Sequence, residues 1–257
     1  MLVEIVSDYE AMSERAAEIV THQIRKKPDS VIGFATGSTP LGLYQRLAQN
    51  HQARGLDFSK ITTFNLDEYV GLPPSHNQSY HYFMWTNLFD HINVDPSKVH
   101  IPQGMADDID DFCQWYERRI EQAGGLDLQI LGIGANGHIA FNEPGSSLGS
   151  RTRIKTLTEE TTQNNARFFD DPDEVPRYAI TMGVGTIMAA KTVLLLSSGE
   201  SKANAIRATL EGPITAMVPA TIVQLHQRAY VIIDEAAASK LEYRHHHGII
   251  EPKQQNP

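Results

Sequence analysis

Short apolar runs recur along this chain, each followed by a turn of small or polar residues or by a stretch with helical spacing. Leu126–Leu131 is such a run, bounded by glycines, and Lys191–Ser197 is another; Met1–Val6, Ser30–Phe34, Ile61–Asn65 and Ala229–Ile233 repeat the pattern. Runs that are apolar throughout suit strands buried on both faces. Between them, Tyr9–Lys26 sets Met12, Ala16, Ile19, Val20 and Ile24 on one helical face, with Asp8 as cap and Pro28-Asp29 as stop. Further helices are expected around Leu41, Tyr44 and Leu47, and over 80–89, 107–123, 202–210 and 219–225. Strands alternating with helices predict an α/β fold: a doubly wound, mainly parallel sheet with helices on both faces, Rossmann-like in architecture.

At 257 residues the chain has the length for one large catalytic domain over 1–257, with 245–257 as a polar tail. No stretch approaches the roughly eighteen apolar residues of a membrane span, and Met1–Val6 lacks the basic flank of a signal peptide. A cytoplasmic protein without membrane contact is therefore expected. The lone Cys113, among Phe112, Trp115 and Tyr116, reads as packing. A formal net charge of −9 argues against nucleic acid as a partner, which normally needs a basic face. It leaves room for a phosphorylated ligand, because a phosphate needs only a helix N-terminus and one or two cations. His245-His246-His247 invites a metal reading, but with no second ligand group nearby it reads better as tail, and no metal is expected.

The densest chemistry follows the run at 126–131. Gly132-x-Gly134-x-x-Gly137 spells a dinucleotide fingerprint, yet Asn142-Glu143-Pro144-Gly145 continues it as a loop where a nucleotide turn would enter a helix. The glycines are expected instead to let the backbone approach a small ligand. His138 and Glu143 bring an imidazole and a carboxylate within five positions, just beyond a strand's carboxyl end, where α/β sheets place their ligands. An imidazole held near an acid can move protons.

Three other strand ends point the same way. Thr36-Gly37-Ser38-Thr39-Pro40 forms a small-residue turn before a helix, which suits an anion, although an ordinary capped turn reads the same. Asp67-Glu68-Tyr69 follows the third strand, where an acid is either catalytic or a helix cap. Lys202 opens a helix after 191–197 and is either a solvated residue or aimed at the shared edge. Arg151–Lys155 alternates as a basic strand. The polar run 158–173 and its flanks, about 157–180, make a candidate mobile flap over the site.

Taken together, Thr36–Pro40, Asn65-Leu66-Asp67-Glu68-Tyr69, Asn136-Gly137-His138-Ile139-Ala140-Phe141-Asn142-Glu143-Pro144, Ala166–Phe169 and Ser198–Lys202 resemble the glucosamine-6-phosphate deaminases. The resemblance covers nearly the whole chain. It implies conversion of glucosamine 6-phosphate and water to fructose 6-phosphate and ammonia, with neither nucleotide nor catalytic metal. It also implies that Asp67 takes the C2 proton, that His138 opens the sugar ring, and that Glu143 orients the imidazole. Thr36, Gly37, Ser38, Thr39, Arg167 and Lys202 match the family's phosphate contacts.

Two departures bear on this. Ser38 stands where many members have a second glycine, and Asn136 where some have an aspartate. An amide can hold an imidazole but not neutralise an imidazolium, which shifts that task toward Glu143. The related 6-phosphogluconolactonases resemble Gly-His-Thr-Ala-Ser in the loop and fit less well. A sugar-phosphate sensor is expected to have lost Asp67 or His138. Family members include monomers and allosteric hexamers, so a homo-oligomer stays open; Arg153 and Lys155 match allosteric-ligand positions or form a solvated face.

Overall fold

A computed structural model describes residues 1–166, 169, 171 and 174–244 of the chain. The first half contains β1 (Leu2–Val6), α1 (Tyr9–Lys26), β2 (Val31–Phe34), α2 (Leu41–Arg54), β3 (Thr62–Asn65), β4 (Asp67–Tyr69), α3 (Tyr80–Asn87), β5 (Val99–His100) and α4 (Ile109–Gln122). The second contains β6 (Leu128–Leu131), β7 (Arg153–Thr156), α5 (Glu159–Ala166), β8 (Tyr178–Thr181), α6 (Val184–Met188), β9 (Val193–Ser197), α7 (Ala203–Glu211) and β10 (Ala229–Asp234).

Seven parallel strands form the main sheet in the order β1-β10-β9-β6-β2-β3-β5. Every residue of β2, β6 and β9 is buried, which accounts for their largely apolar sequences, Gln129 and Ser197 being the polar positions. Helices cover both faces. Phe64 on β3 pairs in register with Gly33, so Phe34 and Phe64 point to opposite sides of the sheet. Phe34 meets Tyr44 of α2 edge to face at 5.8 Å, and Phe64 meets Tyr116 of α4 at 5.5 Å. Each such pair adds about 0.5–1.5 kcal/mol beyond the area it buries. Asp8 caps α1 through Ala11 N–H at 2.8 Å, as its sequence position predicts.

The neighbours β2 and β6 send the chain in opposite directions across the sheet, β2 on to β3 and β6 eventually to β9. A crevice forms at the carboxyl ends where such connections diverge.

A second region, which includes the expected basic strand as β7, stands apart from the main sheet. Arg151–Lys155 and Asp67–Tyr69 do not extend the main sheet: β4, β8 and β7 form a separate antiparallel sheet. The chain leaves the main sheet at Leu66, whose N–H still reaches Phe34 O at 3.3 Å while its carbonyl accepts from Met182 N–H at 2.6 Å. This small sheet has its own apolar cluster, including Tyr69, Phe141, Leu157 and Ala179. The expected helix at 219–225 is a 3-10 turn. Of the expected flap, α5 and the start of β8 are described; Arg167, Phe168 and the tail from His245 lie outside the described residues. No helix among the described residues is long and apolar enough to cross a membrane.

Candidate active site

A cleft of about 510 Å³ opens at the carboxyl ends of β2, β3, β6 and β9. Thr36, Gly37, Ser38 and Thr39 line it after β2, Asp67 after β3, His138 after β6 and Lys202 after β9. Four sequence-distant motifs thus meet at one place. Gly37 adopts φ +97°, which favours glycine, and α2 begins beyond it without a side-chain cap. Tyr9 braces this turn: its hydroxyl donates to Ser38 O at 3.1 Å and accepts from Gly42 N–H at 2.7 Å. Three hydroxyl residues, an uncapped helix start and a lysine together offer donors for an oxyanion.

Within the glycine loop, Gly132 borders the cleft with open space beside it, whereas Gly134 has a different reason from the one read from sequence. A Cβ on Gly134 would fall 2.1 Å from the His138 ring, so the space belongs to the imidazole and not to a ligand. Gly134 N–H donates to His138 O at 2.9 Å, closing the loop around that ring. Behind His138 runs a hydrogen-bonded chain. Asn136 Nδ2 donates to Glu143 Oε2 at 3.1 Å, and this orients the Asn136 oxygen toward His138 Nδ1 at 2.8 Å. A carboxylate only accepts, so the amide has one sensible orientation and Nδ1 carries the proton. Nε2 is then the bare nitrogen. Glu143 Oε2 is 3.5 Å from Nδ1, too long for a direct bond of consequence, so Asn136 is the link. Neither Asn136 nor Glu143 lines the cleft.

Glu143 is nearly fully buried, and burial opposes its ionisation. The neighbouring His138 imidazole, with hydroxyl and amide donation from Thr161 and Asn136, outweighs burial and holds it at about 2. Asp67 shows the reverse. It is buried, borders the cleft, and among the described residues no group donates a hydrogen bond to it. Burial first and the neighbouring Glu68 second push its carboxyl up to about 8.

Of the two readings open for acids at 67–68, the cap belongs to Glu68. Its carboxylate accepts from Tyr69 N–H at 2.8 Å, Tyr80 N–H at 2.9 Å and His81 N–H at 2.9 Å, spanning β4 and the first turn of α3. The sequence carried no signal for this, because the bonds to α3 join residues twelve and thirteen apart. Thr161, Tyr80 and Ala140 also line the cleft unannounced. Ala140, with φ +50°, is the described non-glycine residue in the left-handed region.

A family profile described as glucosamine-6-phosphate isomerases/6-phosphogluconolactonase matches residues 7–232. A protein named glucosamine-6-phosphate deaminase from Thermoanaerobacter sp. (strain X514) is 56% identical over 239 residues, 93% of this chain and 94% of its own length. Glucosamine-6-phosphate deaminase 2 of Bacillus subtilis (strain 168) is 55% identical over 244 residues, 94% and 98% of the two chains. A solved structure of a monomeric glucosamine-6-phosphate deaminase superposes with a TM-score of 0.91 at 49% identity, covering 93% of this chain and 99% of its own. The 6-phosphogluconolactonase of Trypanosoma brucei, with a TM-score of 0.74 and 17% identity over 93% and 98% of the two chains, shares the fold. The chain belongs to the glucosamine-6-phosphate isomerase/6-phosphogluconolactonase family.

Proposed function

We propose that the protein is a glucosamine-6-phosphate deaminase, converting glucosamine 6-phosphate and water to fructose 6-phosphate and ammonia. The observation that carries this reading is the buried Asp67 carboxylate, undonated, sharing one cleft with the bare Nε2 of His138. Thr36, Gly37, Ser38, Thr39 and Lys202 take the phosphate, joined by Arg167. Charge-assisted hydrogen bonds contribute about 1.5–3 kcal/mol each, and binding this remote group orients the reacting carbons.

His138 Nε2 takes the proton of the anomeric hydroxyl and returns it to the ring oxygen, which opens the sugar to its aldehyde. The transient imidazolium is stabilised through Asn136 by ionised Glu143. Asp67 then removes the C2 proton, and the electrons form an enolamine. Protonation at C1 leaves an imine at C2; water adds there and ammonia departs. A base with raised proton affinity suits a carbon acid. Burial favours neutral Asp67, and the substrate's ammonium beside it favours the carboxylate. Every step is a proton transfer or water addition that side chains can run, so none calls for a nucleotide or metal.

The test is an assay of purified protein with a chelator present. Ammonia and fructose 6-phosphate should appear in equal amounts from glucosamine 6-phosphate. Hydrolysis of 6-phosphogluconolactone without ammonia release would overturn the reading.

A further inference from the structure

Asp67 and Glu68 are consecutive residues of β4, so their side chains leave the strand on opposite faces. Asp67 borders the substrate cleft, whereas Glu68 borders a second cavity of about 400 Å³ with His81, Trp85 and Gln103. Glu68 is 2% exposed. A Cβ on Gly104 would lie 3.5 Å from Glu68 Cγ and 1.9 Å from Tyr69 O, so a residue without a side chain closes the strand over this carboxylate. Of the two adjacent acids, Glu68 has three backbone N–H donors and Asp67 has none among the described residues. Donors favour the ionised form. The anion of the pair therefore resides on Glu68.

We propose that Glu68 is a positioning residue for the deamination: its three N–H bonds tie β4 to α3, aim Asp67 into the cleft, and make Glu68 the first of the two acids to ionise, placing beside Asp67 a negative charge that strengthens it as a base. The inference rests on the deaminase reading. Burial pushes Glu68 up to about 7, against the pull of its three donors, while Asp67 lies higher at about 8 with Glu68 as a cause. The groups facing Glu68 are Asp67, Tyr69, Tyr80 and His81; those sharing the cleft with Asp67 are Tyr80, His138 and Lys202.

Glu68→Gln removes the charge and keeps the size. In the ammonia-release assay, the acid limb of the kcat/KM profile should move about one unit to lower pH. Because Glu68 does not line the cleft, kcat should fall roughly three- to thirtyfold with KM within about twofold. Glu68→Asp, which keeps the charge, should return the limb toward its original position. A purely structural cap would lower activity without moving the limb, and an unmoved limb overturns the proposal. Should Glu68→Gln fail to fold, carboxyl-carbon NMR of the unaltered protein decides: Glu68 should lose its proton before Asp67 as pH rises, and the reverse order overturns the proposal. Unaltered protein that releases no ammonia would sink the activity itself, a distinct outcome.

Discussion

The two walls of the cleft treat their carboxylates in opposite ways. On the β4 wall, Asp67 is buried, has no donor among the described residues and is pushed up to about 8. On the glycine-loop wall, Glu143 is as deeply buried but is surrounded by His138, Asn136 and Thr161 and held at about 2. Burial raises both; at Glu143 the neighbouring His138 and the Thr161 and Asn136 donors outweigh it, and at Asp67 the neighbouring Glu68 adds to it. Two carboxyl groups driven apart this way can work as proton acceptor and permanent anion within one site, which is how acid–base tasks are divided in many enzymes. The division also locates cost. An undonated buried carboxylate destabilises the fold when ionised, and proteins keep such groups where function needs them.

The largest effect should come from removing the charge on the β4 wall. Asp67→Asn keeps the shape but cannot accept the C2 proton, so both ammonia release and solvent exchange of the C2 hydrogen should fall by about 10²–10⁴-fold. Stability should move the other way. An unfolded aspartate ionises near 4, roughly, and Asp67 in the fold at about 8. Folding therefore takes up a proton between those values, and the native protein loses stability as pH rises through the window. Asparagine does not titrate, so its stabilising effect should be larger at pH 8 than at pH 5, by up to about 1.4 kcal/mol per unit. Equal unfolding midpoints in denaturant at the two pH values, or wild-type C2 exchange, would make Asp67 a structural residue and erase the contrast between the walls.

On the other wall, His138→Gln should cost less. Its proposed task is ring opening, and a small fraction of substrate is already open in solution. Turnover should drop roughly tenfold to a hundredfold, the lower range for one acid–base group, while C2 exchange on open-chain substrate survives. Residual activity equal to that of Asp67→Asn would merge the two steps into one and break the division of labour.

The two walls also differ in how visible they were beforehand. The main sheet announced itself because β2, β6 and β9 are buried on both faces and are therefore largely apolar. The glycine loop was visible because His138 and Glu143 lie five positions apart. Of the small sheet only β7 was, as the alternating strand at 151–155: β4 is three residues long with two acids, and β8 is four residues joined to β4 only through tertiary pairing. Without a hydrophobic run or alternation of useful length, such strands have no local signature. The burial of Asp67 and the capping by Glu68 depend on that sheet and were hidden with it. Gly134 illustrates a subtler limit: its position was legible, but its reason, room for a ring four residues later, is a steric fact of the folded loop.

Thr161 gives the smallest and most selective test of the comparison. It donates its hydroxyl to Glu143 Oε1 from α5, a segment of the expected flap, and both residues are buried. Thr161→Val keeps the shape of the side chain and deletes the donor. One hydrogen bond to a charged group is worth about 1.5–3 kcal/mol, so stability at pH 7 should fall by that amount. The sign with pH follows from the depressed carboxyl. Glu143 ionises at about 2 in the fold and near 4.3, roughly, in an unfolded chain. The bond therefore contributes fully above that unfolded value, and its contribution is lost as pH falls toward 2. Denaturant unfolding of the variant and the parent should differ most at pH 7, less at pH 3, and converge only as pH falls below about 2. Turnover should fall only a few-fold, because losing the Thr161 donor leaves the Asn136 bond to Glu143 and the Asn136 link to His138 intact. An equal stability loss at both pH values would reduce Thr161 to ordinary packing. A loss of turnover beyond about a hundredfold would place Thr161 in contact with the reaction itself, and the glycine-loop wall would then extend into α5.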